Sequence, residues 1–270
     1  MKSKLPLHVF AILIIALAWP VVSYAQSLGL APAQVVEKFK PGVPFQFELT
    51  TANSGEAAVE MSVEITDFWY NENNEKTFGA PGTSPRSAAN WIQFVPEHFE
   101  VAAHGSQKMK AIVTPPADAK GGYYAVLFVK SKPQLSFDKT KDGKSVFTNM
   151  RIGCLVLLSA DTTEQYKIAV SDLKLTPPSA THGLELGFTI DNQGNTHVFP
   201  LPRLAILDSQ HKLVAKAESE MKRYLPGQKD AMHVNWSGAL DPGDYTAVLT
   251  ISYGEDRIET QTMPFVIAAP

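Results

Sequence analysis

The chain has 270 residues, 44% hydrophobic, 19% charged and 10% aromatic, a composition that excludes a wholly disordered protein. Its formal net charge is −3, whereas a nucleic-acid binder is clearly basic. The single cysteine, Cys154, excludes an intrachain disulfide and a cysteine-rich metal site. Nineteen Pro and 17 Gly are spread along the chain without a low-complexity tract. They punctuate short segments, as in all-β proteins.

Residues 1–25 read as a secretory signal peptide. Lys2 and Lys4 open it, Val9 to Ala18 is an apolar run, and Ser23 and Ala25 supply the small residues of a cleavage site. The apolar run is short for a membrane span, which needs about 20 residues. Without this segment, 22 basic and 27 acidic residues remain, a net of −5. The sequence predicts an exported protein with no integral membrane segment in its mature chain, located in the periplasm, or alternatively secreted or surface-attached.

In the first half, Phe45, Phe47 and Leu49 alternate with polar residues, and so do Val59, Met61, Val63 and Ile65. A period of two buries one face of a strand. Asn53 to Glu56 is a turn, and residues 71–90 are polar and read as a loop. Trp91 to Val95, Lys108 to Val113, and Tyr123 to Val129 are further strands, and Arg151 to Leu158 is an apolar run. Between the last two, Asp142-Gly143 signals a hairpin turn. Lys130, Lys132, Lys139, Lys141, Lys144 and Arg151 against Asp138 and Asp142 make this hairpin +4 in an acidic protein.

After Asp161 to Thr163 the pattern repeats. Strands are predicted over Ile168 to Leu175, Leu184 to Ile190, Leu204 to Leu207, Lys212 to Ala217, Met232 to Trp236, Tyr245 to Ile251 and Ile258 to Ile267; only Glu218 to Arg223 reads as a helix. Seven short strands in about 100 residues are the pattern of an immunoglobulin-like sandwich. In each half a Gly turn leads into a strand that opens on Tyr: Gly121-Gly122-Tyr123-Tyr124 and Pro242-Gly243-Asp244-Tyr245. These match tyrosine corners, where the hydroxyl bonds back to the chain. The expected fold class is all-β, with two tandem immunoglobulin-like β-sandwiches over 26–160 and 161–270, joined near residues 159–165.

The order of Pro41-Gly42, Asn53, Asp67-Phe68, Trp91-Ile92, Pro96, Thr114-Pro115-Pro116 and Gly121-Gly122-Tyr123-Tyr124 resembles the N-terminal domain of PapD-like periplasmic chaperones and of WxL-interacting proteins. Asn192 to Asn195, Leu225-Pro226-Gly227 and Asp241 to Tyr245 resemble the second sandwich of the latter. The resemblance implies a protein that binds exported, pilin-like subunits through an edge strand by β-augmentation. It places that strand at Phe147 to Leu158, presenting Ile152, Cys154, Val156 and Leu158, with Arg151 holding a partner carboxylate. For the second basic residue that the family uses, the first strand offers Lys38 or Lys40.

The search for chemistry yields little. The six mature histidines show no metal-site spacing, and no GxSxG elbow occurs. Cys154 lies inside an apolar strand and reads as a buried thiol. Asn71 to Glu75 has oxygen ligands but not the glycine and terminal Glu of a calcium loop. Trp91 and Trp236 sit on alternating strands and read as core. Trp69 and Tyr70 are adjacent, so one ring faces outward; this pair is the candidate surface aromatic site, with a glycan as its ligand. The sequence thus predicts a non-enzymatic factor with no cofactor and no metal, a periplasmic chaperone or assembly protein, the alternative being an envelope scaffold or adhesion protein.

Overall fold

The computed structural model describes residues 28–135, 147–179, 181–254 and 256–269. The segment 1–25, the Asp142-Gly143 turn and Lys139, Lys141 and Lys144 lie outside them.

The first sandwich is built from β1 (Leu28–Ala31), β2 (Gln34–Phe39), β3 (Phe45–Asn53), β4 (Val59–Tyr70), β5 (Lys76–Gly79), β6 (Ile92–Val95), β7 (His98–Val101), β8 (Ser106–Val113), β9 (Gly121–Ser131) and β12 (Arg151–Ala160). A small ribbon of β10 (Gln134–Leu135) and β11 (Phe147–Thr148) leads from β9 into β12. One sheet runs β1-β3-β8-β6 and the other β2-β12-β9-β4-β5, with β7 also on β4. The second sandwich comprises β13 (Ile168–Thr176), β14 (Leu184–Asn192), β15 (Leu201–Asp208), β16 (Leu213–Glu218), β17 (Lys229–Trp236), β18 (Gly243–Gly254) and β19 (Arg257–Ile267). Its sheets run β13-β14-β17 and β16-β15-β18-β19. The fold is therefore two tandem all-β sandwiches.

The alternation read in the sequence is the alternation that packs. Leu184, Leu186, Phe188 and Ile190 of β14 all lie in the second core, and Val59 and Met61 of β4 in the first. β9 differs: nearly every residue is buried. Ala125, Leu127 and Val129 face the first core, while Tyr124, Val126 and Phe128 join Phe68, Leu157 and Leu225 in a third cluster between the sandwiches. Covered on both faces, β9 reads as a continuous apolar run.

Three expectations are corrected. Residues 71–90 are not simply a loop: β5 pairs with β4, Phe78 opposite Phe68, and Ala89–Trp91 forms a 3-10 turn. Residues 218–223 are not helical; Glu218 ends β16, and an irregular stretch follows. The strand from Arg151 is not an edge along its length. It pairs with β9 from Arg151 to Ala160 and with β2 from Leu155 to Ala160, so among the described residues only its first four lack a ladder partner on the second side.

The junction between the sandwiches is tightly bonded. Gly121 donates its N–H to Thr163 Oγ1 at 3.0 Å, and Gly122 donates to the Asn195 carbonyl at 2.8 Å. Asn195 Oδ1 accepts from the Gln165 N–H, and its Nδ2 donates to the Thr163 carbonyl. Ser159 and Thr196 share a hydroxyl bond of 2.8 Å. Gly121 has φ +72, and a Cβ there would collide with the Asn195 backbone, so glycine is required both for the left-handed conformation and for the approach. The two tyrosine corners form: Tyr123 OH accepts from the Lys120 N–H at 3.2 Å, and Tyr245 OH donates to the Asp241 carbonyl at 2.9 Å.

Candidate functional site

The candidate edge lies where β12 begins. β1 pairs with β3 in one sheet, whereas β2 pairs with β12 in the other. The crossing of the chain at residues 32–33 leaves Arg151 to Cys154 without a ladder partner on the β2 side among the described residues, although β1 still passes close to β12. The Leu155 N–H donates to the Ala33 carbonyl, so residue 155 points its backbone groups toward β2. Strand alternation then aims the N–H and C=O of Gly153 and Arg151 at the open side. These are unpaired ladder groups of the kind another strand can take up.

The side chains of this strand lie elsewhere than expected. Cys154, Val156 and Leu158 are fully buried in the first core, because even-numbered residues of β12 face inward; Ile152 is half-buried at the rim. Burial pushes the Cys154 thiol up to about 11, which makes it a poor nucleophile at neutral pH. Arg151 is exposed, but its guanidinium is engaged: it lies 3.5 Å from the centre of the Phe128 ring and 3.3 Å from Glu64 Oε2. Lys132 is ion-paired with Glu60, and Lys130 is half-buried on β9 opposite Arg151.

Trp69 and Tyr70 come together with residues of the second sandwich that the sequence did not single out. They line an interdomain cleft of about 740 Å³ with Phe68, Ser84, Arg86, Leu225 and Gln228 among its walls. The Tyr70 hydroxyl accepts from Arg223 Nη2 at 3.0 Å. The wall at residues 83–86 is held by Asp67, a fully buried carboxylate that accepts from the Ser84 N–H at 2.8 Å and from the Ser87 hydroxyl. Arg86 donates to the Gly122 carbonyl at 3.1 Å. Asn74 Nδ2 donates across to the Lys229 carbonyl.

A second cleft, of about 650 Å³, opens on the other flank of the junction beside β2. Val36, Lys38, His197, Arg203, Met221 and Arg257 are among its lining. Arg203 donates to Glu218 at 2.7 Å, Lys38 lies 3.7 Å from Glu164, and the Arg257 guanidinium sits 5.1 Å from the Tyr166 ring centre. His197 is buried edge-on between Tyr124 and Phe199, its Nδ1 without a hydrogen-bond partner. Burial, then the nearby Arg223 charge, pushes its pKa down to about 4.

Asn71 Oδ1 accepts the N–H groups of Asn73 and Glu75, so this polar stretch is a self-bonded turn. No three His, Cys, Asp or Glu side chains gather as a metal site among the described residues. No helix among those residues is long and apolar enough to cross a membrane.

No family model matches the chain, and no curated protein matches it in sequence. Similar solved structures do exist. The class 5 fimbriae chaperone CfaA is 12% identical, with 90% of this chain and 100% of that one covered at a TM-score of 0.47. SafB, the chaperone solved with the Salmonella enterica SafA pilin, is 11% identical over 91% of this chain and 98% of its own, TM-score 0.43. The E. coli chaperone DraB is 15% identical, with 91% and 97% covered and a TM-score of 0.42.

Proposed function

We propose that the chain is a non-enzymatic, exported protein-binding factor that acts in the periplasm as a chaperone or assembly protein. It takes up a strand of an exported, pilin-like subunit along the open edge of β12 by β-augmentation. The observation that carries this reading is the stretch Arg151 to Cys154, paired with β9 on one side and without a ladder partner on the other among the described residues. Backbone pairing there supplies affinity, while side-chain pockets of the partner supply register. Lys132 and Arg151 flank this edge, each paired with a glutamate of β4. The buried Cys154, Val156 and Leu158 hold the strand in place rather than touch the partner. A partner carboxylate at Arg151 would have to exchange with Glu64. An envelope scaffold or adhesive role is the alternative that the aromatic cleft favours.

Two substitutions at one position test the edge. Arg151→Ala removes the guanidinium but keeps the backbone N–H on the open side. Arg151→Pro also removes that N–H, at the first residue of a strand where proline is tolerated. In pull-downs from the native envelope, the proline variant is expected to lose a further tenfold or so of capture relative to alanine, about the worth of one ladder hydrogen bond. Equal capture by wild type and both variants, with unchanged circular dichroism, would remove the edge as the binding site.

A further inference from the structure

We propose that the cleft holding Trp69 and Tyr70 is a saccharide-binding site, taking one or two pyranose rings, separate from the β12 edge. Its place in the molecule supports a built site. The cleft lies on the β4–β5 flank of the domain junction, and β12 and β9 stand between β4 and β2 in the sheet order. A ligand there would not compete with a strand at the edge. Its volume of about 740 Å³ falls within the roughly 300–1,000 Å³ of small-molecule sites, which favour domain interfaces.

The walls are fixed before any ligand arrives. Asp67 holds residues 84–87 from beneath, Arg86 anchors to Gly122, and Asn74 ties the β4–β5 turn to Lys229 in the second sandwich. On the opposite wall the Gly227 N–H donates to the Asn192 carbonyl at 2.8 Å, and the Leu225 N–H donates to Gln228 Oε1 at 3.1 Å. A site pre-organised in this way loses little entropy on binding.

The lining matches sugar chemistry. A pyranose presents apolar C–H faces and equatorial hydroxyls. Trp69 is only half-buried, and its six-membered ring lies so close over Gly79 that a Cβ there would sit 2.8 Å from Cη2. The indole therefore packs closely on Gly79 while the residue still borders the cleft. Around it stand groups that pair with hydroxyls: the Glu72 carboxylate, the Gln228 amide, whose Nε2 is not spent on the Leu225 bond, and the Arg86 guanidinium, of which one N–H is spent on Gly122. A lining that combines aromatic residues with amide, carboxylate and guanidinium groups suits a neutral polyol better than an alkyl chain, which would leave the polar groups desolvated.

The test is isothermal titration of the mature chain with cellobiose, N,N′-diacetylchitobiose and maltose, read alongside tryptophan fluorescence. Saturable binding of at least one disaccharide is expected, with a shift in emission. Trp69→Ala should weaken it at least tenfold and Glu72→Gln severalfold; Glu72 is exposed, so this second variant keeps its fold if Trp69→Ala does not. Binding should be unchanged in Arg151→Pro. No saturable binding by any of the three sugars, or binding indifferent to both Trp69→Ala and Glu72→Gln, overturns the proposal. Loss of sugar binding in Arg151→Pro would also overturn it, because the cleft would then not be separate from the edge.

Discussion

Both sandwiches end an inner strand on the same residue in the same role. Asn53 closes β3 and Asn192 closes β14, and both are buried. Asn53 Oδ1 accepts the Gly55 N–H at 2.9 Å, and its Nδ2 donates to the Ala57 and Val101 carbonyls. Asn192 Oδ1 accepts the Gly194 N–H at 3.0 Å, and its Nδ2 donates to the Thr196 and Tyr224 carbonyls. Alanine at Asn192 orphans buried backbone groups, each worth about 1–3 kcal/mol, so Asn192→Ala should lower stability by about 2–3 kcal/mol in urea unfolding. Gln193→Ala, on the exposed neighbour, should change it little. His197 adds a pH dependence. Its folded pKa of about 4 lies below the ordinary 6.5, so the unfolded chain takes up a proton that the folded one refuses. Its contribution is complete above pH 6.5 and is lost as pH falls toward 4, about 3 kcal/mol in all. Unfolding midpoints at pH 7 and pH 4.5 should therefore converge in His197→Phe, which keeps an aromatic ring between Tyr124 and Phe199 and removes the titrating group.

At the scale of the element, β12 does two jobs at its two ends. From Leu155 onward it is an inner strand between β2 and β9; before that, among the described residues, it has a ladder partner on one side alone. Its start carries a glycine for a packing reason: at Gly153 a Cβ would lie 2.8 Å from Phe128 Cε1. That ring is already confined by Phe78, 5.5 Å away edge-on, and by Arg151 above it. Gly153→Val should push Phe128 aside and cost about 1–3 kcal/mol by overpacking, read as a lowered urea midpoint. It should also loosen the Arg151–Glu64 pair that rests on the same ring.

Across the whole molecule, the third apolar cluster buries side chains of both sandwiches together. Phe68, Tyr124 and Leu157 of the first sandwich bury themselves against Leu225 of the second, beside the hydrogen bonds of Gly121, Gly122 and Asn195. The wild-type chain should show a single calorimetric transition. A charge at Leu225, fully desolvated against Phe68 and Tyr124, cannot be accommodated, so Leu225→Asp should split the melt into two transitions, one for each sandwich. A single unaltered transition in that variant would mean that the interface contributes little.

The features legible from the residues alone are local ones. The period-two strands, the turn glycines and both tyrosine corners were legible because burying one face of a strand, or reversing the chain, depends on neighbours a few residues apart. What stands on either side of a strand is not local. An apolar run such as Arg151 to Leu158 reads the same whether it is an edge awaiting a partner or an inner strand with both sides taken. The crossing of the chain at residues 32–33 decided which part was which. The Gly121-Gly122 pair likewise read only as a strand opening, whereas the approach of Asn195 from the other sandwich is what requires glycine at 121, and the Tyr124 ring is what crowds position 122. Edges, clefts and the domain junction are made of contacts between segments distant in sequence, and folding in three dimensions is what brings those together.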